Sequence, residues 1–295
     1  MMGPRAVIST CLVFVLVACT AGSVAAGPVA SADSFVFGIG NHMLDGTATT
    51  VGNRFKDFGL VVVDGEEATP AEISAIQSHG VVVLGYLSVG TIEKWRGWYD
   101  QVKHYRLNAD QNWRDEWFAD ASRPGYRTAI LNDIAPQLLG KGLDGLFLDN
   151  VDMIETRNHR AQRSGMRTLV GDLSDLAHSG ADLLFAQNGA WILERLDMVA
   201  DLDGWNREDV TWTYDFDHRR YVRVGDHAHQ EAVHELARFH DHFGLVTTAT
   251  DYTARAHGRA TRRSIHNACA VGALPYVSNI NLTLERLPDP PLTCP

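Results

Sequence analysis

A chain of 295 residues with 36 acidic and 26 basic side chains carries a formal net charge of −10. That balance disfavours nucleic acid and anionic lipid as partners; it would attract a cationic polymer, and it also serves ordinary solubility. Beyond the N-terminus no stretch has the length of a transmembrane helix, and no repeat, charge block or low-complexity linker divides the body.

The first residues read as an export signal. Arg5 precedes the apolar run Val7 to Ala18, too short to span a bilayer and followed by small residues. Two processing routes are open. Leu16-Val17-Ala18-Cys19 resembles a bacterial lipobox, which would leave Cys19 lipidated, whereas Ala30-Ser31-Ala32 resembles a small-residue cleavage site before Asp33. Residues 1–32 are therefore assigned to the signal and a short linker, and residues 33–295 to one domain. The protein is expected outside the cell or on its surface. In that oxidising setting Cys269 and Cys294 can form one bridge that pins the Pro-rich tail, the alternative being a buried free thiol at Cys269.

From Phe35 onwards, short apolar runs stop at polar residues. In chain order they are Phe35–Ile39, Val61–Asp64, Leu84–Ser88, Gly145–Asp149, Leu184–Asn188, Gly204–Glu208, Thr248–Tyr252 and Pro275–Asn279. Helical patterns lie between them. Pro70 to His79 has Pro in the first turn and Gly80 as a stop; Tyr126 to Gly140, His159 to His178, Ala228 to Phe243 and Ala254 to Val271 lead into later strands. The segment Thr91 to Tyr126 departs from this spacing. It is a long excursion holding Trp95, Trp98, Tyr99, Tyr105, Trp113, Trp117 and Phe118.

Eight strands alternating with helices suit either an open doubly wound sheet or a (β/α)8 barrel. Gly38-Ile39-Gly40-Asn41-His42 lacks the third glycine of a dinucleotide turn, which favours the single-domain TIM barrel. Catalytic groups in such barrels sit at the carboxyl ends of the strands. Alternation along a strand puts Asp149 on the face of Phe147, Asp64 with Val62, Tyr86 with Leu84, and Glu208 with Asn206. Asp149 and Glu208, two strands apart, could converge across the mouth. Two carboxyls flanking one bond are what glycoside hydrolysis needs, one protonated and one ionised.

The remaining strand-end residues Asp64, Tyr86, Asn150, Asp152, Asn188, Trp205, Asp251 and Tyr252 are candidate substrate contacts. Trp95, near the third strand end, is the leading candidate for stacking on a sugar ring, with Trp98 beside it. No metal is assigned. His227, His229, His234, His240 and His242 lack a His-Glu-x-x-His spacing and read as a solvated helix face, and Asp201-Leu202-Asp203-Gly204 brings its glycine too early for a calcium loop. No Gly-x-Ser-x-Gly elbow supports a serine hydrolase, and no cofactor is implied.

Together Gly85-Tyr86-Leu87-Ser88-Val89-Gly90 with Glu93 and Trp95, Gly142 to Asp152, Gln187-Asn188-Gly189, Asp203 to Glu208, Asp251-Tyr252 and Pro275 to Ser278 resemble the glycoside hydrolase family 114 barrel, the endo-α-1,4-polygalactosaminidase group. The resemblance runs in order from about Phe35 to Leu287. It implies cleavage of an α-1,4-linked, galactosamine-containing polysaccharide, a substrate that is cationic when deacetylated. It also implies Asp149 as nucleophile and Glu208 as acid/base. The first strand and the aromatic excursion depart from the family, and loops at the mouth set which polymer fits. A barrel acting on another α-linked glycan, or one that binds sugar without turnover, shares much of this pattern.

Overall fold

The computed structural model describes residues 28–295. The apolar part of the signal and Cys19 lie outside the described residues. All eight apolar runs become strands of one parallel sheet: β1 (Phe35–Gly38), β2 (Leu60–Asp64), β3 (Val82–Ser88), β4 (Gly145–Asp149), β5 (Leu183–Gln187), β6 (Gly204–Glu208), β7 (Val246–Tyr252) and β8 (Leu274–Ser278). Each pairs with the next in chain order. The two ends of the sheet come together, with Phe35 of β1 edge-on to Tyr276 of β8 at 6.1 Å between ring centres. The result is a nearly closed (β/α)8 barrel.

Side chains fill the barrel rather than leave a pore. Phe35, Phe37, Phe147, Phe185 and Tyr276 are buried in it, and Phe37 meets Phe147 at 5.1 Å. Gly204 makes room for Phe185, because a Cβ there would sit 2.1 Å from its ring. Higher up, Thr248 and Thr250 donate their hydroxyls to the Asn206 amide oxygen at 2.7 and 3.2 Å, so these three buried polar side chains partner one another beneath the mouth.

An Asp stands immediately before the first residue, a Gly, of both β4 and β6. The Asp144 carboxylate accepts from the Val83 N–H at 2.8 Å, and the Asp203 carboxylate from the Leu184 N–H at 2.8 Å, each tying the strand foot to its neighbour.

The crossover helices follow local signals. Pro70–Gln77 begins with a reciprocal capping box between Thr69 and Glu72. Pro124–Thr128, Ala129–Ile134 and Ala135–Leu139 run on as one helix whose middle turn widens to π geometry. Pro136, without an N–H to return to the preceding turn, accounts for the irregularity. Arg163–Ser179, Asp226–Asp241 and Arg259–Cys269 cover the later strands. Helix Ala48–Phe55 and the short helix Ala190–Arg195 complete the outer layer.

The aromatic excursion is itself a small antiparallel sheet, Thr91–Glu93 beside Glu116–Ala119 beside Arg106–Ala109. A hairpin of Trp212–Asp215 and Arg220–Arg223 rises after β6. Cys269 and Cys294 are joined, which ties the tail to the last long helix. Val29 is 4% exposed within the core, so the packed body reaches a few residues before Asp33. Among the described residues, no helix is long and apolar enough to cross a membrane.

Candidate active site

A cleft of about 520 Å³ opens at the carboxyl ends of the strands. Alternation brings Tyr86, Asp149, Gln187, Glu208 and Tyr252 into it from β3 to β7. The next residue after each of three strands turns sharply: Asn150, Asn188 and Asp209 have φ of 60°, 55° and 57°. Asn and Asp tolerate this left-handed backbone better than most residues, and it carries the chain out of the barrel straight after each cleft residue.

Asp149 accepts the Tyr86 hydroxyl at 2.8 Å, the Asn150 N–H at 2.6 Å and the Gln187 amide at 3.0 Å. Burial, then the Glu208 charge, push its pKa up to about 6, while those three donors pull it back. Glu208 accepts the Tyr252 hydroxyl on one oxygen and the Asn188 amide on the other, the latter at 2.9 Å. Burial, then the Asp209 charge, raise Glu208 to about 7. Gln187 is held in turn by Asn206, whose amide donates to its oxygen at 2.8 Å.

Each carboxyl thus keeps its own set of donors, Tyr86, Asn150 and Gln187 on Asp149 and Tyr252 and Asn188 on Glu208. A neutral Tyr86 and a neutral Tyr252 suit this arrangement, since burial and the adjacent carboxylates raise both phenols well above their ordinary range.

The rest of the lining is unusually acidic. Glu93, Asp110, Glu116, Asp152 and Glu155 join Asp149 and Glu208, and no Lys, Arg or His is among the lining residues. Asp152 is raised to about 7 by burial and then by the Asp149 charge, and Glu116 to about 8, mainly by burial. Trp95 and Trp113 stand at the rim, 56% and 43% exposed. Trp113 meets Phe216 of the hairpin edge-on at 5.5 Å, so loops after β3 and β6 touch across the mouth.

Of the residues singled out from sequence, Asp149, Glu208, Tyr86, Trp95, Asn150, Asp152, Asn188 and Tyr252 all line this cleft. Four others do not. Trp205 points outward by alternation and packs on Phe239 at 4.2 Å, donating its indole N–H to the Asn188 carbonyl at 2.7 Å. Asp251, also on the outward parity, accepts from the Val210 and Thr211 N–H groups at 2.7 and 3.0 Å. Asp64 has inward parity, but Arg96 clasps its two oxygens at 2.8 and 2.7 Å. Arg96 also binds Glu93 and sits over the Tyr86 ring, so Asp64 supports the cleft wall from behind. Trp98 likewise lies against Arg96 rather than in the cleft.

Gln187, Glu93, Asp110, Trp113, Glu116 and Glu155 were not among the candidate site residues, although Glu93 and Gln187 stood in the family pattern and Trp113 in the aromatic excursion. Strand parity alone reaches Gln187, two residues on from Phe185. No local periodicity marks Asp110, Trp113 or Glu116, which the small antiparallel sheet carries over the mouth.

Buried carboxyls sharing one cleft at the mouth of a (β/α)8 barrel define the class: a barrel glycoside hydrolase. The model of glycoside hydrolase family GH114 matches residues 24–269, and the chain belongs to that family. Its fold is similar to the glycoside hydrolase domain of PelA from Pseudomonas aeruginosa, 20% identical with a TM-score of 0.72, covering 85% of this chain and 96% of that one. It is also similar to Ega3 of Aspergillus fumigatus, solved with galactosamine, 18% identical with a TM-score of 0.60 over 85% of this chain and 90% of that one. An uncharacterized protein of Thermotoga maritima is 23% identical over 165 residues, 50% of this chain; the match spans about half of that protein, 51%.

Proposed function

We propose that this family member is an exported glycosidase that cleaves an α-1,4-linked, galactosamine-containing polysaccharide within this cleft. Asp149 is the nucleophile and Glu208 the acid/base. The observation that carries the reading is the unequal support of two buried carboxyls in one cleft. Three donors favour the ionised form of Asp149, whereas Glu208 has two, and burial raises both carboxyls toward neutrality, so that one of the pair can hold a proton while the other is ionised.

In the first step the Asp149 carboxylate bonds to the anomeric carbon as the glycosidic C–O bond breaks, and Glu208 gives its proton to the departing oxygen. In the second, Glu208 takes a proton from water, whose oxygen displaces Asp149 and frees the sugar. Seven carboxyls line the cleft and, apart from Arg96 on Glu93 at its wall, no cation enters it, which suits a polymer bearing ammonium groups that would relieve the mutual repulsion helping to raise Asp149 and Asp152. Trp95 and Trp113 offer apolar faces to sugar rings.

The buried Val29 bears on export. Cleavage after Ala32 would remove a core side chain, whereas processing at Cys19 keeps it and leaves a lipid anchor.

The test is release of reducing ends from a deacetylated galactosamine polymer. Asp149→Asn and Glu208→Gln are each expected to lower it at least a thousandfold while polymer binding persists. Turnover unchanged in either variant overturns the assignment; wild-type cleavage of only a neutral α-glucan overturns the substrate.

A further inference from the structure

The small antiparallel sheet after β3 turns one face to the cleft. Alternation puts Glu116 and Phe118 on that face and both line the cleft, whereas Trp117 between them turns away to pack on Tyr99 and under Arg106. Glu93 stands directly opposite Glu116 across the ladder and lines the cleft as well. Two acids at facing positions repel each other, and only one of them is neutralised. Arg96 binds Glu93 and is already shared with Asp64. Glu116 is 6% exposed, has no ion pair among the described residues and is served by one side-chain donor, the Thr91 hydroxyl. Burial, with the charges of Glu93, Asp149 and Asp110, raises it to about 8, so it holds a proton until a cation arrives.

We propose that Glu116 selects an amino sugar, its carboxyl receiving the ammonium of the unit that enters the cleft on the β3 side of Asp149. This role rests on the substrate reading above and adds the side chain that enforces it. Tyr86 fixes the location: its hydroxyl lies 2.8 Å from an Asp149 oxygen and 3.4 Å from a Glu93 oxygen, and the Glu116 charge acts on the same phenol. The carboxyl without a cation is therefore beside the reacting group, not on a remote wall. An ammonium placed there ionises Glu116, whose proton leaves to solvent, and forms a charge-assisted hydrogen bond that balances the second acid of the facing pair as Arg96 balances the first. An N-acetyl group in the same position carries no charge, is bulkier, and leaves the carboxyl buried and uncompensated.

The experiment compares binding of short α-1,4-linked galactosamine oligosaccharides with that of the same oligosaccharides fully N-acetylated, using the full protein. The fluorescence of the cleft tryptophans Trp95 and Trp113 on rapid mixing reports binding before turnover. Wild-type protein is expected to bind the amine form at least tenfold more tightly. Glu116→Gln, neutral and of the same shape, should reduce that preference at least fivefold; a merely structural loss would weaken both ligands alike and leave the ratio in place. Asp152→Asn, which removes another buried acid from the β4 side of the cleft, should retain most of the preference. No amine preference in the wild type, an unchanged preference in Glu116→Gln, or an equal loss in Asp152→Asn would overturn the proposal. Cleavage of the galactosamine polymer by a wild type without that preference removes the role of Glu116 alone, whereas neither binding nor cleavage of either form removes the substrate reading with it.

Discussion

Replacing Tyr252 with Phe tests which carboxyl is the acid. The Tyr252 hydroxyl donates to one oxygen of Glu208 and thereby favours its ionised form. A hydrogen bond to a charged group contributes about 1.5–3 kcal/mol. At 1.36 kcal/mol per unit, its loss raises the Glu208 pKa by about 1–2 units, nearer the lower figure because Asn188 still serves the other oxygen. Asp149 must be ionised and Glu208 protonated, so wild-type kcat/KM should rise through about pH 6 and fall through about pH 7. Those limbs belong to the coupled pair, but the variant acts on one member. Tyr252→Phe should therefore move the alkaline limb upward by about one unit or more and leave the acidic limb nearly in place. Initial rates of reducing-end release from pH 4 to 10 measure this. An acidic limb that moves while the alkaline one stays would assign the proton to the wrong carboxyl, and the reasoning would fail.

Stability should vary with pH through the same groups. Asp149, Asp152, Glu208 and Glu116 all have folded pKa values above the unfolded range near 4, so their contribution is full below about pH 4 and is lost as pH rises through about 6 to 8. Thermal unfolding should show a lower Tm at pH 8 than at pH 5, with a smaller difference in Glu208→Gln. Arg96→Met leaves Asp64 and Glu93 buried without their cation and should cost about 3–5 kcal/mol in urea unfolding. Cys269→Ser with Cys294→Ser opens a closure of 25 residues, and chain entropy sets the loss at about 3.5 kcal/mol, read from the same denaturation curve.

Much of the barrel was legible because each strand is a short apolar run closed by polar residues, and eight such runs alternate with helical spacing. Strand parity went further than it was used. It sends Trp205 and Asp251 outward and Gln187 inward, yet the first two were counted as cleft residues and the third was passed over. Asp64 is different: its parity is right, but Arg96 lies 32 residues on, and nothing local announces that the two will meet. The three strands of the aromatic excursion are only three or four residues long and pair across a turn and a bulge, which leaves no period to detect. Trp113 reaches the mouth only because that sheet folds back.

The hexapeptides Asp144 to Asp149 and Asp203 to Glu208 share one plan, an anchoring carboxylate five places ahead of a cleft carboxylate. A strand rises about 3.3 Å per residue, so the tether lies roughly 16 Å from the acid it locates. Sliding either strand by one step would turn its terminal carboxyl from the lumen to the helix layer. The floor of the barrel thus acts as a ruler for the chemistry at its top, and damage at that floor would register as lost catalysis far from any sugar.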